Sequence, residues 1–472
     1  MRGGRFAHAS GMECKYCMLE TANGPYRAVC AGDGDFLENS ASVMLRAALS
    51  GADCIYFDEQ TVHKSGAEDT DYRPDWSPDT LLSYPYTGGA LLVSERLWER
   101  VGGPVSGSMS GMYDFTLRAT EHAERIFHEP TPVFRRPAEP DGQIDADAVE
   151  RALSRRRLNA LVGPGLFADS FDVRYPVPTG VCVTVVVVAG GASCYGVRST
   201  LESIALRNTW PHIELIIVDN DPIESHRERY FAALSQQNAA LILRDPTEPD
   251  TARLCNQAAE RASGSLTLFL DAGLTFRRSD AIERMTGLAI RPETGAVGAK
   301  LTSSAGKLTG NAMLWGAAGR PRSLAEGVPD GALPPLLNRY VNCIRNVTAC
   351  YGAIMIKKDR LPEAGGFDNS VPRQGMLPAL CIRLAQKRFR NVYTPFAVFG
   401  GAKRFSLSSM TEQERCRMDE LLGPFREHGD PMFSTAQAVI ERLHAFHDEE
   451  TPGKKHAAHA VPARAAHDAA QP

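Results

Sequence analysis

Long apolar runs alternate with amphipathic stretches through the second half of the chain. The run "VCVTVVVV", residues 181–188, is rich in β-branched residues and carries no charge, which is typical of a central strand buried on both faces. It is followed by "VRSTLESIALRN", in which apolar positions recur at helical spacing, and then by a second buried run, "IELIIVDND". The alternation continues through "RYFAALSQQNA", "ALILRD", "TARLCNQAAERASG" and "SLTLFLDAG". The pattern predicts a doubly wound α/β sheet.

Acidic residues stand where two of these strands end. Asp219 and Asp271 each close an apolar run, and ligands of doubly wound sheets bind beyond the carboxyl ends of the strands. A carboxylate there suits the N–H and O–H donors of a nucleobase or ribose, so Asp219 and its neighbour Asn220 are candidates for nucleoside binding. The tract "DNDP" also fits an ordinary turn, and spacing alone does not separate the two interpretations. The tract "AGGASCYG" lacks the GxGxxG spacing of a dinucleotide site, so a nicotinamide cofactor is not expected.

The composition indicates a globular protein of more than one domain. A chain of 472 residues exceeds one ordinary core, and 43% hydrophobic with 23% charged residues is typical of globular proteins. A formal charge of −4 argues against nucleic acid as a partner, because duplex binding needs concentrated Lys and Arg. Of the 11 cysteines only Cys14 and Cys17 form a CxxC pair, which we interpret as two small semi-buried residues near a helix rather than a metal or redox site. No apolar run reaches the ~20 residues that span a bilayer and no signal peptide opens the chain, so a cytoplasmic protein is expected.

A series of tracts occurs in order between Val181 and about Ser434. They are "VTVVVV…STLESI…TWPHIELIIVDND", "CNQAAERASGSLTLFLDAG", "TGAVGAKLTSSAGKL", "RNVTACYGAIMIKKDRLPEAGGFD" and "LCIRLAQKRFRNVYTPFAVF". Together they resemble family 2 glycosyltransferases of the GT-A fold, and within that family the rhamnosyltransferase-like group that builds bacterial surface polysaccharide. The resemblance implies transfer of a sugar from a nucleoside diphosphate, such as dTDP-rhamnose, to a glycan or lipid-linked acceptor.

Earlier tracts resemble the later part of another copy of the same domain. They are "GPYRAVCAGDGDFL", "GADCIYFDEQTV", "DYRPDWSPDTLLSYPYTGGALLVSERLWERVGG" and "YDFTLRATEHAERIFHEPTPVFRR". The nucleotide-binding strands of such a copy are not found before Gly24. The resemblance implies one complete and one partial copy, with five segments: a partial domain lacking its nucleotide-binding half (1–140), a helical linker (141–180), the complete domain (181–434), a C-terminal helix (435–450) and a disordered tail (451–472).

The resemblance also implies a divalent cation, Mg²⁺ or Mn²⁺, that neutralises the leaving diphosphate. Relatives end the "LTLFL" strand with a pair that closes on Asp, whereas this chain has Asp271, Ala272 and Gly273. The single carboxylate of Asp271 is expected to hold such a metal weakly. In the partial copy "AGDGDF" keeps a DxD pattern, which makes Asp33 and Asp35 further candidate metal ligands; a plain acidic, glycine-rich turn is the alternative.

The general base of the transferase is expected to be altered as well. The resemblance puts a base Asp just before the "LCIRLAQKR" helix, where this chain has Leu377, and the corresponding position of the partial copy is Met112. Neither side chain accepts a proton, although Asp114 lies near Met112. The His that relatives carry after "VYTPFA" is absent from "VFGGAKRF". Loss of general-base catalysis alone typically costs ~10²–10⁴-fold in rate.

Residues that would meet a sugar acceptor are better preserved. Arg345, Asn346 and Tyr351 lie just before and within "ACYGAIMI" and Trp76 lies in "PDWSPD"; aromatic faces suit sugar stacking, and packing around a buried strand is the alternative. The basic run 387–390 is typical of a solvated helix end, with contact to anionic lipid at the inner face of the membrane as the alternative. Three hypotheses stay open: an active transferase, a non-catalytic glycan- or nucleotide-binding module or scaffold descended from one, and a fragment whose true start lies upstream.

Overall fold

The computed structural model describes residues 14–138, 144–222, 224–247, 250–310, 313–315, 321–323, 325–333, 335–405, 410–430 and 432–433. The elements up to residue 180 are, in chain order, β1 (Lys15–Thr21), β2 (Gly24–Cys30), β3 (Asp35–Phe36), α1 (Ser40–Ala48), β4 (Cys54–Val62), β5 (Glu68–Asp71), α2 (Pro78–Ser83), β6 (Ala90–Ser94), α3 (Glu95–Val101), α4 (Met109–His122), β7 (Ile126–Pro137), α5 (Asp147–Arg155), β8 (Leu161–Pro164) and β9 (Phe171–Arg174). The C-terminal helix and the tail predicted for 435–450 and 451–472 lie outside the described residues.

The second half continues the same chain-order numbering. Its elements are β10 (Val183–Val188), α6 (Cys194–Arg207), β11 (Ile213–Asp219), α7 (Ser225–Gln236), β12 (Leu241–Arg244), α8 (Thr251–Arg261), β13 (Leu266–Asp271), β14 (Thr275–Phe276), α9 (Ala281–Ala289), β15 (Thr294–Thr302), β16 (Leu308–Gly310), β17 (Met313–Trp315), β18 (Pro321–Ser323), α10 (Pro335–Val341), β19 (Arg345–Asn346), β20 (Ala353–Lys357), α11 (Arg360–Glu363), α12 (Met376–Gln386), β21 (Arg390–Gly400) and α13 (Glu412–His428), with 3-10 turns at Asp330–Ala332 and Arg373–Gly375.

The larger sheet lies in the second half and has the order β12–β11–β10–β13–β20–β15–β21–β14. β12, β11, β10 and β13 run parallel, as the predicted strand–helix alternation requires. Alternate residues of β10 enter different cores: Val186 packs on the side of α8 and α12, whereas Val185 packs on the side of α6 and α9. Because both faces are covered, the strand is apolar apart from Thr184, whose hydroxyl donates to Glu214.

The smaller sheet lies in the first half and has the order β1–β2–β6–β4–β7–β3, with β5 paired to β4. Its core continues into the segment predicted as a helical linker. Val149 of α5 and Val173 of β9 are buried in this core, and β8 and β9 form an antiparallel hairpin. The prediction of a helical linker over 141–180 is therefore wrong in its second part, because α5 ends at Arg155 and the hairpin follows.

The pairings of the smaller sheet repeat those of half of the larger one. β2–β6 and β6–β4 are antiparallel, β4–β7 is parallel and β7–β3 is antiparallel. In the larger sheet β13–β20, β20–β15, β15–β21 and β21–β14 have the same directions in the same order. The registers agree as well, since Cys30 faces Ala90 as Leu270 faces Ala353. This equivalence aligns Asp33 with Gly273.

A buried polar interface joins the two sheets. Arg291 Nη1 lies 2.5 Å from the Asp79 carboxylate, and both side chains are less than a tenth exposed. Asn346 Nδ2 donates to the same carboxylate at 2.7 Å, and the backbone N–H of Ile344 donates to Ser83 Oγ at 3.1 Å. Burial acts to raise the pKa of Asp79, but the positive charge of Arg291 and these hydrogen bonds outweigh it and lower the pKa. The two halves thus share charged contacts that neither satisfies alone.

The CxxC pair lies at and just before β1 and also near a helix, since Cys14 Sγ is 3.8 Å from Met112 Sδ of α4. Cys17 is buried within β1, and Cys14 immediately precedes it with its thiol donating to the Ser106 carbonyl at 3.1 Å. Burial raises the pKa of the Cys14 thiol to about 11, which disfavours the thiolate that a metal or redox site needs.

Candidate functional site

A cavity of about 310 Å³ opens at the carboxyl ends of β10 and β13. Its walls come from the loop after β10, the turn after β13, the start of α12 and the loop after β21. Val188 pairs with Asp271 across the two parallel strands, so both strand ends open into the same space. This is where doubly wound sheets bind their ligands.

Asp271 is the only carboxylate that lines this cavity among the described residues. Its side chain is 44% exposed, and its backbone N–H donates to the Gly352 carbonyl at 2.8 Å. Arg373 Nη2 lies 3.7 Å from the carboxylate. Desolvation raises the pKa of Asp271, and the charge of Arg373 opposes that rise. The carboxylate therefore faces the cavity with a cation beside it.

Gly273 occupies a tight turn just beyond Asp271. Its φ is +101°, in the left-handed region that only glycine adopts readily, and no heavy atom lies within 4 Å of the position a Cβ would take. The Gly273 carbonyl instead meets the loop after β21, where a Cβ on Gly401 would lie 2.3 Å from that oxygen. The turn has room for a side chain at 273, but its backbone conformation is strained for any residue except glycine.

Leu377 is the second residue of α12 and lines the same cavity. It is only 7% exposed and packs in the core under the helix. At the equivalent position of the smaller sheet, Met112 has no exposed surface, and the nearby Asp114 is held by Arg118 at 2.9 Å and Arg151 at 3.3 Å. Neither side chain accepts a proton, and the altered general base stays a prediction.

Three cations line the cavity that the sequence analysis did not single out: Arg373, Lys403 and Arg404. Arg373 begins the 3-10 turn before α12, and the other two lie in the loop after β21. Arg404 forms an ion pair with Glu326. The signal in the sequence is "VFGGAKRF", where two basic residues follow a strand end after only two small residues.

Asp219 does not reach the cavity. Its side chain has no exposed surface and pairs with Arg227 at 3.2 Å and Arg244 at 3.0 Å. Burial raises the pKa of Asp219, and the charge of Arg227 opposes the rise. Asn220 packs against the loop after β10, since a Cβ on Gly190 would lie 2.2 Å from its Oδ1. The nucleoside-binding roles of Asp219 and Asn220 stay predictions, and for Asp219 they require the two arginines to move.

The predicted acceptor residues are dispersed. Only Tyr351 lines the cavity, where its hydroxyl donates to the Thr309 carbonyl at 2.7 Å. Arg345 and Asn346 are 3% exposed and lie in the interface between the sheets, and Trp76 packs against the core of the smaller sheet. The structure does not bring these four residues together, because β19 is turned toward α2 rather than toward the cavity.

The predicted metal ligands are split between two places. Asp33 and Asp35 line a separate open cavity beside β7, and Asp35 lies 2.5 Å from Lys15 Nζ. Asp271 lies in the larger sheet, so the three carboxylates do not form one site. In the part of the chain that the structure describes, no group of three or more His, Cys, Asp or Glu side chains is arranged to hold a metal ion. The Asp271 site supplies one carboxylate, which does not fit a strongly bound Mg²⁺ or Mn²⁺.

The acidic pair that follows Phe57 is also engaged internally. Asp58 accepts a hydrogen bond from His128 Nε2 at 3.0 Å, and the other ring nitrogen of His128 lies 3.0 Å from Asp75. Glu59 is held by Arg73 at 2.7 Å. These buried groups stabilise the smaller sheet rather than line a cavity.

Residues 187–330 match the family described as Glycosyl transferase family 2. The matched segment contains the strands that end at Asp219 and Asp271. It supports a nucleotide-sugar glycosyltransferase domain of family 2 in this part of the chain. Together with the observed sheet, it identifies the fold as mixed α/β of the GT-A type.

Two curated proteins are similar over most of this chain. The uncharacterized protein y4gI of Sinorhizobium fredii is 26% identical over 406 residues, which cover 80% of this chain and 44% of that protein. The O-antigen biosynthesis protein RfbC of Myxococcus xanthus is 26% identical over 356 residues, which cover 72% of this chain and 28% of that protein. The chain thus spans less than half the length of these relatives.

Two solved structures were also matched. GalNAc-T7 with UDP, GalNAc and Mn²⁺ has a TM-score of 0.44 at 14% identity, covering 60% of this chain and 58% of that one. The mannosyltransferase PcManGT of Pyrobaculum calidifontis with GDP-Man and Mn²⁺ has a TM-score of 0.37 at 15% identity, covering 62% of this chain and 80% of that one.

Among the described helices of the present chain, none combines the length and apolar character needed to cross a bilayer.

Proposed function

We propose that this protein binds a nucleoside diphosphate sugar in the cavity at β10 and β13 and transfers the sugar to a glycan or lipid-linked acceptor in bacterial surface polysaccharide synthesis. The family 2 match begins at the end of β10 and contains β13, and the name of the Myxococcus xanthus relative points to O-antigen biosynthesis. A rhamnosyl donor such as dTDP-rhamnose, and work at the inner face of the cell membrane, belong to the same proposal.

The observation that carries the proposal is the cavity itself. It lies beyond the carboxyl ends of parallel strands, and its volume of about 310 Å³ is comparable to the lower end of ligand sites, ~300–1,000 Å³. Its charged groups are the Asp271 carboxylate and the basic side chains of Arg373, Lys403 and Arg404. A diphosphate needs positive charge and a sugar needs hydrogen-bonding groups, and this cavity offers both.

The residues of the cavity can meet one chemical requirement of sugar transfer better than the other. Sugar transfer requires stabilisation of the leaving diphosphate and removal of a proton from the acceptor hydroxyl. The basic side chains would serve the first requirement. For the second, Leu377 offers nothing, and Asp271 is the only carboxylate lining the cavity among the described residues. We therefore expect nucleotide binding with slow transfer.

Calorimetric titration with UDP and dTDP, each with Mn²⁺ and with EDTA, tests the proposal. We expect one nucleotide to bind in the micromolar range, about −8 kcal/mol, and the corresponding sugar nucleotides to be hydrolysed slowly in a second assay. An Arg229→Ala variant, altered at an exposed arginine of α7, serves as a charge-matched control that should bind equally well. If neither nucleotide binds under either condition, the cavity is not a donor site.

A non-catalytic binding module is the second candidate function. It is favoured by Leu377 at the position of the base and Gly273 at the position of the closing carboxylate. The two candidates differ in turnover, since a binding module should hold the nucleotide without hydrolysing its sugar derivative. Sugar release above the buffer rate, abolished by Asp271→Asn, would decide for the enzyme.

We also propose that residues 1–140 and 181–434 are related copies, the first lacking its nucleotide-binding half. The shared order and direction of strand pairings support this. A residue-by-residue alignment of the two halves would test it: matching apolar positions along the equivalent strands are expected, and no more matches than unrelated segments show would contradict it.

A further inference from the structure

The proposed donor cavity, at the ends of β10 and β13, has two unusual features that lie next to each other: glycine at position 273 and the loop after β21. Gly273 removes the closing carboxylate from the turn after β13, and the loop after β21 packs onto that turn. The contact is close, because a Cβ on Gly401 would approach the Gly273 carbonyl to 2.3 Å. The loop is further fixed by the Ala402 N–H, which donates to the Thr302 carbonyl at 2.9 Å. Lys403 follows directly and is exposed at the cavity.

Arg373 approaches the same space from the end of β10. Its Nη2 donates to the Val188 carbonyl at 3.3 Å, and its Nη1 lies over the loop after that strand, 3.0 Å from the position of a Cβ on Gly191. Its side chain is 31% exposed and lines the cavity. The guanidinium is thus held over the strand ends with part of its surface open to a ligand.

The charges of the cavity favour an anion. Arg373, Lys403 and Arg404 line it against the single carboxylate of Asp271. Arg404 is partly neutralised by Glu326, which leaves Arg373 and Lys403 as the main positive charges. A metal cation at Asp271 would have one protein carboxylate and a guanidinium 3.7 Å from that carboxylate. Such surroundings oppose a divalent cation and suit a diphosphate.

We propose that Arg373 and Lys403, assisted by Arg404, bind the diphosphate of the nucleotide donor directly, in place of a divalent cation. The inference rests on the proposed function and adds to it the way the site neutralises its ligand. Two side chains from different segments, before α12 and after β21, would act on the diphosphate oxygens, and Arg and Lys both bind phosphate.

The test compares UDP, dTDP and the matching monophosphates by calorimetry, in EDTA and in Mn²⁺. We expect EDTA to change the diphosphate Kd by less than about twofold, because no bound metal contributes. Lys403→Ala and Arg373→Gln should each weaken diphosphate binding about tenfold and monophosphate binding less, since each removes one charge-assisted contact to phosphate. Arg404→Ala should weaken it less, because Glu326 already holds that side chain. Arg229→Ala is the control variant and should bind like the unaltered protein.

The outcomes separate the two proposals. Diphosphate binding that requires Mn²⁺, or that survives both Lys403→Ala and Arg373→Gln, overturns this inference and leaves the proposed function in place. Absence of binding under every condition overturns both. Because Lys403 is exposed, its variant is expected to fold, and an unchanged thermal midpoint would confirm that lost binding is a local effect.

Discussion

The substitution Leu377→Asp tests whether a missing base limits this protein. Leu377 lies in the first turn of α12, lines the donor cavity and is 7% exposed. An Asp there would present a carboxylate where the fold offers none. Leu377→Asn is the matched control, because Asn has nearly the same size as Asp and is also polar, but its amide does not accept a proton.

For Leu377→Asp, both the loss in free energy of unfolding and the gain in hydrolysis rate can be bounded. Removing a buried leucine costs roughly 2–5 kcal/mol for Leu→Ala, and we expect the lower end because the cavity side of Leu377 is open. A negative charge in the first turn of a helix recovers about 0.3–1 kcal/mol. A positioned general base contributes ~10²–10⁴-fold in rate, which corresponds to roughly 3–5 kcal/mol of activation free energy.

The assay is release of nucleoside diphosphate from UDP- and dTDP-sugars, with water as the acceptor. We expect the Asp variant to exceed the unaltered protein by about 10²-fold or more and the Asn variant to match it. The rate of the Asp variant should rise with pH through the titration of the new carboxyl and then level off. Thermal midpoints of both variants report the stability loss separately.

Two results would refute the reasoning. If the Asp and Asn variants hydrolyse sugar nucleotides equally while still binding the nucleotide, the position does not face the reacting hydroxyl. If the Asp variant alone loses nucleotide binding, the new carboxylate opposes the diphosphate, and the helix start belongs to the donor subsite rather than to the base.

Three further predictions concern stability, each measured by urea unfolding. Gly273→Ala should lower the free energy of unfolding by about 1–3 kcal/mol, because φ is +101°. Asp79→Ala should lower the free energy of unfolding by about 3–5 kcal/mol, because it leaves a buried arginine unpaired at the interface. The pKa of Asp79 is lowered in the fold, so its stabilising contribution is present above the pKa of the unfolded carboxyl. That contribution is lost as pH falls through the folded pKa. Burial acts to lower the pKa of His128, but its two aspartate partners raise it overall, so its stabilisation is complete below the unfolded pKa of about 6.5 and is lost as pH rises through the folded value.

Each of these has its own control. Gly163→Ala lies at a glycine with open space and no positive φ, so it should be neutral, and an equal loss at both glycines would discount backbone strain. Glu202→Ala breaks an exposed ion pair and should cost less than about 1 kcal/mol; a similar value for Asp79→Ala would mean that the interface is solvated. For His128→Gln the pH dependence above neutrality should flatten, and an unchanged slope would assign it to other groups.

The central strands were predictable because a single physical requirement fixes them. β10, β11 and β13 are covered on both faces, so most of their residues are apolar, and the helices between them carry one apolar face. The end of such a strand is also visible in sequence, which is why Asp271 could be assigned to the cavity. These features depend on local pattern alone.

Contacts between distant segments were not predictable in this way. The arginines that enclose Asp219 come from α7 and β12, and nothing in "DNDP" indicates them. The motif around Asn346 predicts an acceptor-binding role, yet its partner Asp79 lies 267 residues away in the chain. The hairpin β8–β9 was missed since its strands are four residues each, too short to show periodicity.

Restoring the closing carboxylate is not a simple reversal, and the equivalence of the two sheets explains why. In the smaller sheet the equivalent residue is Asp33, which has no positive φ, and Arg135 faces Asp35 where Gly400 faces Thr275 in the larger sheet. The larger sheet has Gly273 at the turn and Gly401 just after the strand end, and Gly401 lets the following loop lie close to the Gly273 carbonyl. A carboxylate at 273 would find open space, since no heavy atom lies within 4 Å of the Cβ position, but it would require a strained backbone at φ +101°. The backbone of the turn, rather than a lack of space, therefore opposes an acidic residue at 273.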